Sequence, residues 1–168
     1  MNIRNEQPSD IETIWEINAE AFETDDEANL VNALRSSGCT FISLVAEIQN
    51  NIVGHILFTP VELTGNKNRL KILGLAPMSV LSQHQNKKIG SELVNAGLAH
   101  CRSLGYDAIV VLGHPDYYPR FGFVPSVKFG IKSEYDVPDE VFNILELVPE
   151  CLKHNTGIIK YHEAFGSV

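Results

Sequence analysis

The stretch Ala76-Pro77-Met78-Ser79-Val80-Leu81-Ser82-Gln83-His84-Gln85-Asn86-Lys87-Lys88-Ile89-Gly90-Ser91-Glu92-Leu93-Val94 passes from an apolar strand, through a short polar loop carrying two lysines, into a helix that opens at Ile89-Gly90. The first backbone N–H groups of a helix have no partner inside it, and the aligned peptide dipoles add partial positive charge there. A strand, a loop and a helix start in this order build an anion site that suits a pyrophosphate.

Outward from this stretch the pattern alternates between strands and helices. Residues 89–104 read as a helix, with Leu93, Val94, Gly97, Leu98 and Cys101 on one face and Gly105 as its stop. The run Ala108–Leu112 is apolar throughout, as expected for a central strand buried on both faces. Gly113-His114-Pro115-Asp116 breaks it, and a short helix is expected around residues 117–121. Upstream, residues 70–80 read as a long strand interrupted by Gly74 and Pro77; proline cannot donate to a sheet ladder and sits at edges or bulges. Residues 41–48 and 52–58 read as a hairpin turning at Asn50-Asn51.

At the start of the chain, residues 2–6 read as an edge strand. Pro8-Ser9-Asp10 offers helix-start chemistry, and Ile11, Ile14, Trp15 and Asn18 recur at helical spacing after it. A second helix is expected over residues 26–37, with Leu30, Val31 and Leu34 as its apolar side and Gly38 at its end. Beyond residue 125 the signals thin out; residues 141–148 and 157–161 read as strands. There is no internal repeat, linker or low-complexity segment.

Composition narrows the function. A chain of 168 residues, 44% hydrophobic, suits one folded domain spanning 1–168. The formal net charge of −8 speaks against a nucleic-acid partner, which needs a basic stripe. It also means that an anionic ligand must be held by local features, and Lys87, Lys88 and His84 are the densest positive cluster. No run is apolar for long enough to span a bilayer, and the first residues lack the apolar core of a secretory signal. The three cysteines (Cys39, Cys101, Cys151) show no Cys-x-x-Cys spacing and read as reduced thiols, which points to the cytoplasm. The six histidines show no ligand spacing, so no metal is expected.

The loop at residues 85–90 resembles the acyl-CoA-binding segment of the GNAT N-acetyltransferase superfamily, whose pattern is Gln/Arg-x-x-Gly-x-Gly/Ala. Here it reads Gln85-Asn86-Lys87-Lys88-Ile89-Gly90, with Lys88 where the first glycine usually sits. A second family feature, Tyr-x-x-x-Gly-Phe, appears as Tyr118-Pro119-Arg120-Phe121-Gly122-Phe123. The resemblance covers residues 1–125 well and the tail less well. It implies an α/β (α+β) fold: a mixed, mostly antiparallel central sheet of six to seven strands, splayed between strands 4 and 5 and flanked by helices on both faces.

The resemblance further implies acetyl-CoA as cosubstrate. Its pyrophosphate would sit on backbone N–H groups of Lys87, Lys88, Ile89, Gly90 and Ser91 beside Gln85. Its pantetheine arm would lie along the strand edge at Met78 and Val80, with a backbone N–H near Met78 facing the acetyl carbonyl. Tyr118 matches the family tyrosine that protonates the departing thiolate, and Tyr117 is its neighbour. If Lys88 sits in an ordinary turn, lysine costs little there and adds charge; a left-handed backbone would make it costly. The ordinary turn is the expectation.

The general base is open. The strand at 70–80 carries no Asp or Glu, and Glu23, Glu62, His55 and His114 are the candidates, His55 reading as structural. Cys101 reads as core. The expected activity is N-acetyl transfer to a primary amine, on a small molecule or a protein, by direct attack on the thioester. The alternative is a non-catalytic acyl-CoA-binding or protein-interaction module on the same fold. Relatives often pair, so a homodimer is possible.

Overall fold

A computed structural model describes residues 1–167 of the chain. Two compact units divide it. The first comprises residues 1–58, 76–97 and the stretch from Glu163; the second comprises 59–75 and 98–162.

The first unit opens with β1 (Asn2–Asn5), followed by α1 (Ile11–Ala21), α2 (Asp26–Ser37) and β2 (Ile42–Ile48). It also holds the first part of β3 (Asn51–Leu63), the second part of β4 (Ile72–Val80) and the first part of α3 (Ile89–Ser103). Its strands run in the order β1-β2-β3-β4. Both β1–β2 and β2–β3 are antiparallel, the latter from Ile42↔Phe58 to Ile48↔Asn51. That register puts Gln49 (φ 50°) and Asn50 (φ 64°) in the hairpin turn, one residue earlier than the sequence suggests. Two-residue hairpin turns of this kind take positive φ at both central residues, and asparagine tolerates it.

Helix α1 starts where Asp10, buried, accepts the Gln7 N–H at 2.7 Å and pairs with Arg4, also at 2.7 Å; Arg4 reaches on to Glu47 of β2 at 2.9 Å. The Arg4 guanidinium holds the Asp10 carboxyl below the usual carboxylate range. Helix α2 matches the sequence reading and ends at Gly38, whose φ of 74° is the left-handed stop that glycine supplies at least cost. Ile14, Leu30, Val31, Leu34, Val45 and Leu57 form the core beneath α1 and α2.

Successive residues of a strand point to opposite faces. Gly54 and His55 of β3 show what this does. A Cβ on Gly54 would stand 3.0 Å from Leu93 Cδ1 and 3.4 Å from Ile89 Cγ2, both on α3. His55 reaches Asn18 of α1 on the other side. Helices therefore cover both faces of the first unit's strands.

The second unit continues β3 and β4 and adds β5 (Ala108–Leu112), β6 (Val124–Pro125), β7 (Ile131–Ser133), β8 (Phe142–Glu146) and β9 (Gly157–Lys160). Its order is β4-β5-β8-β6, with β9 beside β3 and β7 beside β9. β4 and β5 are parallel, from Ile72↔Ala108 to Leu75↔Val111, while β5–β8, β6–β8 and β3–β9 are antiparallel. Leu63, Ile72, Ala108, Val110, Ile131, Phe142, Ile144 and Ile159 pack at its centre. The seven strands on the main path match the expected mixed, mostly antiparallel sheet. Two- and three-residue strands such as β6 and β7 are too short to leave a periodic trace in sequence.

β4 runs continuously through Gly74 and Pro77. Gly74 earns its place by packing: a Cβ there would meet the Tyr161 ring at 2.9 Å and Val61 at 3.0 Å.

Candidate functional site

The residues singled out for cofactor binding fall in the first unit. Met78 and Val80 lie on the last turns of β4's zigzag, Gln85, Lys87 and Lys88 in the following loop, and Ile89, Gly90 and Ser91 at the start of α3. Tyr118 belongs to the second unit.

The loop leaving β4 is tied down at three points. The Leu81 N–H donates to the Val53 carbonyl at 2.9 Å. The Gln85 side-chain amide donates to the Val80 carbonyl at 3.0 Å. The Ser82 N–H and hydroxyl both donate to the Glu20 carboxylate of α1, at 3.2 and 2.8 Å. Glu20 therefore holds this loop.

Asn86 (φ 62°) and Lys88 (φ 67°) are both left-handed, and Lys87 between them is not. Alternation of this kind turns successive N–H groups toward one side and makes an anion-binding concavity. The Glu92 N–H donates to the Lys88 carbonyl at 3.0 Å, so Lys88 caps the helix and the N–H groups of Ile89 and Gly90 lie in the first turn, where a helix offers them no acceptor. The Lys87 and Lys88 side chains are exposed, while Ile89 is buried at 3% exposure against Gly54 and anchors the helix start. This arrangement can hold a polyanion such as a pyrophosphate by backbone, dipole and two lysines.

The expectation of an ordinary turn at Lys88 is corrected by its φ of 67°. Where the family pattern has glycine, this chain holds lysine in a left-handed backbone, at a cost of about 1 kcal/mol.

Tyr118 opens a 3-10 turn, Tyr118–Phe121, closed by Gly122 at φ 98°. Its ring is 8% exposed and stands edge-on to Tyr117 at 5.0 Å and to Phe123 at 5.8 Å. Burial, with Tyr117 beside it, pushes its phenol from an ordinary 10 up to about 12. The Arg120 guanidinium lies over the Tyr117 ring at 4.5 Å.

Of the candidate bases, His55 is removed: it is fully buried, with one ring nitrogen 3.1 Å from the Asn18 amide and the other 2.9 Å from the Ser43 hydroxyl. Burial, helped by the Arg35 charge, pushes it down to about 3. Glu23 and Glu62 are exposed, Glu62 opposite Lys160 in the β3–β9 register. His114 is exposed and accepts the Asp116 N–H at 3.2 Å. Cys101 is fully buried and its thiol is pushed up to about 12, as befits core packing. Among the described residues no group of three or more His, Cys, Asp or Glu could hold a metal ion. No helix among them is long and apolar enough to cross a membrane.

Residues 2–125 match the acetyltransferase (GNAT) domain family. The chain belongs to the GNAT acetyltransferase family. It is 33% identical over 166 residues to the uncharacterized N-acetyltransferase YhbS of Escherichia coli, covering 98% of each chain. It is 36% identical over 135 residues to a second Escherichia coli protein, the uncharacterized N-acetyltransferase YjhQ, covering 79% of this chain and 75% of that one. The crystal structure of YhbS in complex with CoA superposes with a TM-score of 0.93 at 32% identity, over 98% of this chain and 91% of that one. A GNAT family acetyltransferase from Brucella melitensis in complex with acetyl-CoA gives 0.79 at 33% identity, over 98% and 97%. This GNAT protein is thus an acyltransferase by family.

Sequence reasoning missed the partners of His55 and the packing of Gly113 against Tyr118. One signal was available: Asn18 sits on the apolar face of α1, in step with Ile11, Ile14 and Trp15, and a polar residue there implies a buried partner.

Proposed function

We propose that this GNAT protein transfers the acetyl group of acetyl-CoA to a primary amine, on a small molecule or a protein, by direct attack of the amine on the thioester in the cytoplasm. The observation that carries the reading is the paired left-handed turn at Asn86 and Lys88, opening onto the start of α3 at the end of β4. The CoA and acetyl-CoA complexes of the two relatives support the choice of ligand.

Acetyl-CoA supplies an activated acetyl group. The N–H groups of Lys88, Ile89 and Gly90, with Lys87 and Lys88, would hold its pyrophosphate, and the Met78–Val80 edge would take its pantetheine arm. Tyr118 holds a proton on its phenol oxygen across the physiological range and would donate it toward the departing sulfur. A phenol at about 12 is a weaker acid than a free tyrosine. Desolvation raises the basicity of a buried thiolate as it does that of a buried phenol. The amine's own proton has water or an exposed carboxylate as its acceptor.

Calorimetric titration with acetyl-CoA, with CoA and ATP as controls, tests the reading. Micromolar binding selective for the CoA compounds, followed by turnover of an amine, is expected. Absence of binding at millimolar acetyl-CoA would sink it, and binding without turnover of any amine would favour the non-catalytic module.

A further inference from the structure

Four of the buried polar side chains of the first unit come together: Asn18 and His55 at 0% exposure, Ser79 at 3% and Ser43 at 5%. They come from α1, β3, β4 and β2, and they form one hydrogen-bonded line.

The direction of that line is fixed at one point. The Asn18 amide nitrogen lies 3.0 Å from the Ile14 carbonyl, which only accepts. That nitrogen is therefore the NH2 end, and the Asn18 carbonyl oxygen faces the Ser79 hydroxyl at 2.9 Å and accepts from it. The same NH2 donates to His55 Nδ1 at 3.1 Å. Nδ1 is then an acceptor, and the single proton of the neutral imidazole sits on Nε2, donating to the Ser43 hydroxyl at 2.9 Å. A proton on both ring nitrogens would set two donors against each other at Asn18.

A buried polar group costs free energy unless it is partnered, and removing one partner strands the next. Apolar residues of like volume would fill this core without such exposure to error. What the line achieves beyond packing is position. Its end, Ser79, stands between Met78 and Val80 on β4, and the Gly54 Cβ position lies 3.2 Å from the Ser79 carbonyl on the opposite side of β3, where α3 begins to pack. The strand at Ser79 is thus gripped by a hydrogen bond from its side chain and by close packing at its backbone.

We propose that Asn18 and Ser79 are positioning residues for acyl-CoA: the line from Ser43 through His55 and Asn18 to Ser79 fixes the β4 edge at Met78 and Val80 on which the pantetheine arm is aligned. This rests on the function proposed above. Ser43 sits at the far end of the line, so its loss reaches Ser79 only through two intervening side chains.

The test compares Ser79→Ala, Asn18→Ala, Ser79→Thr and Ser43→Ala in the full chain, reading melting temperature, the acetyl-CoA Kd by calorimetry, and kcat and KM with an amine acceptor. Positioning predicts about tenfold or greater loss in kcat/KM for acetyl-CoA in Ser79→Ala and Asn18→Ala, since small misplacements of reacting groups are costly. It predicts recovery toward wild type in Ser79→Thr, which keeps the hydroxyl. Ser43→Ala, which reaches Ser79 only through His55 and Asn18, is expected to lower kcat/KM for acetyl-CoA by less than Ser79→Ala does. Equal stability losses with wild-type Kd, KM and kcat in Ser79→Ala would overturn the inference while leaving the proposed function standing. Failure of the wild-type protein to bind acetyl-CoA would overturn both. Where Ala variants do not fold, 15N shifts of His55 in the wild-type protein decide: the Nε2–H form is required, and the Nδ1–H form overturns the line.

Discussion

Gly113 lies directly against the ring of Tyr118: a Cβ on Gly113 would come within 2.3 Å of Tyr118 Cε2 and 2.7 Å of Cδ2. No real side chain fits at that distance, so the end of β5 and the tyrosine are matched by the absence of a methyl group.

Gly113→Ala should therefore push the Tyr118 ring out of place. Overpacking of this kind costs about 1–3 kcal/mol. Urea unfolding should show the loss, and turnover should fall further than the stability loss alone accounts for. Turnover equal to wild type in folded Gly113→Ala would separate Tyr118's position from the chemistry.

Tyr118→Phe keeps the ring and its edge contacts with Tyr117 and Phe123 and removes only the hydroxyl. Turnover should drop by about 10²-fold or more, in line with general acid catalysis, with the acetyl-CoA Kd nearly unchanged. Steady-state kinetics and calorimetry on the same preparation check this. Because the phenol sits at about 12, loss of its proton should not limit kcat below about pH 11.

Lys88 offers a test of backbone strain. Lys88→Gly and Lys88→Ala remove the same charge, but only glycine relieves φ of 67°. The glycine variant should be more stable than the alanine variant by about 1 kcal/mol. Acetyl-CoA affinity should survive in Lys88→Gly; a large loss there, measured by calorimetry, would mean that the ammonium itself holds phosphate.

Acid should destabilise the fold through His55. Its value is depressed from an ordinary 6.5 to about 3 by burial and by Arg35, so the neutral ring contributes stability that is fully present above about 6.5. That stability is lost as pH falls from there toward 3, with a slope of up to about 1.4 kcal/mol per pH unit. Asp10, held low by Arg4, adds to the loss at the acid end. Urea midpoints between pH 7 and 4 check the slope, and NMR of the folded protein should show His55 uncharged throughout that range. A His55 resonance titrating near 6.5 in the native state would contradict the sealed geometry.

Much of the architecture was legible because it is written in short-range patterns. Helical spacing of Leu30, Val31 and Leu34 with Gly38 behind them placed α2 at its observed bounds, and the apolar run 108–112 placed β5 likewise. The loop between β4 and α3 was legible as a helix start because such a start has the same unpaired N–H groups in every protein. The hairpin turn was off by one residue, since Gln49 carries none of the turn chemistry of Asn50-Asn51 and the register was set by the pairing of β2 with β3.

By itself the sequence determined the order of the longer strands and helices, the polar loop between β4 and α3, the placement of Tyr118 after β5 and the likeness to the GNAT family. Only the tertiary structure decided the backbone sign at Lys88, the burial that raises Tyr118, the exclusion of His55 as a base, and the joining of Ser79 to Asn18 across 61 residues. The division has one physical cause. Periodicity, caps and turns depend on neighbours a few residues away, whereas desolvation and hydrogen-bond partnership depend on which distant segments the packed core brings together.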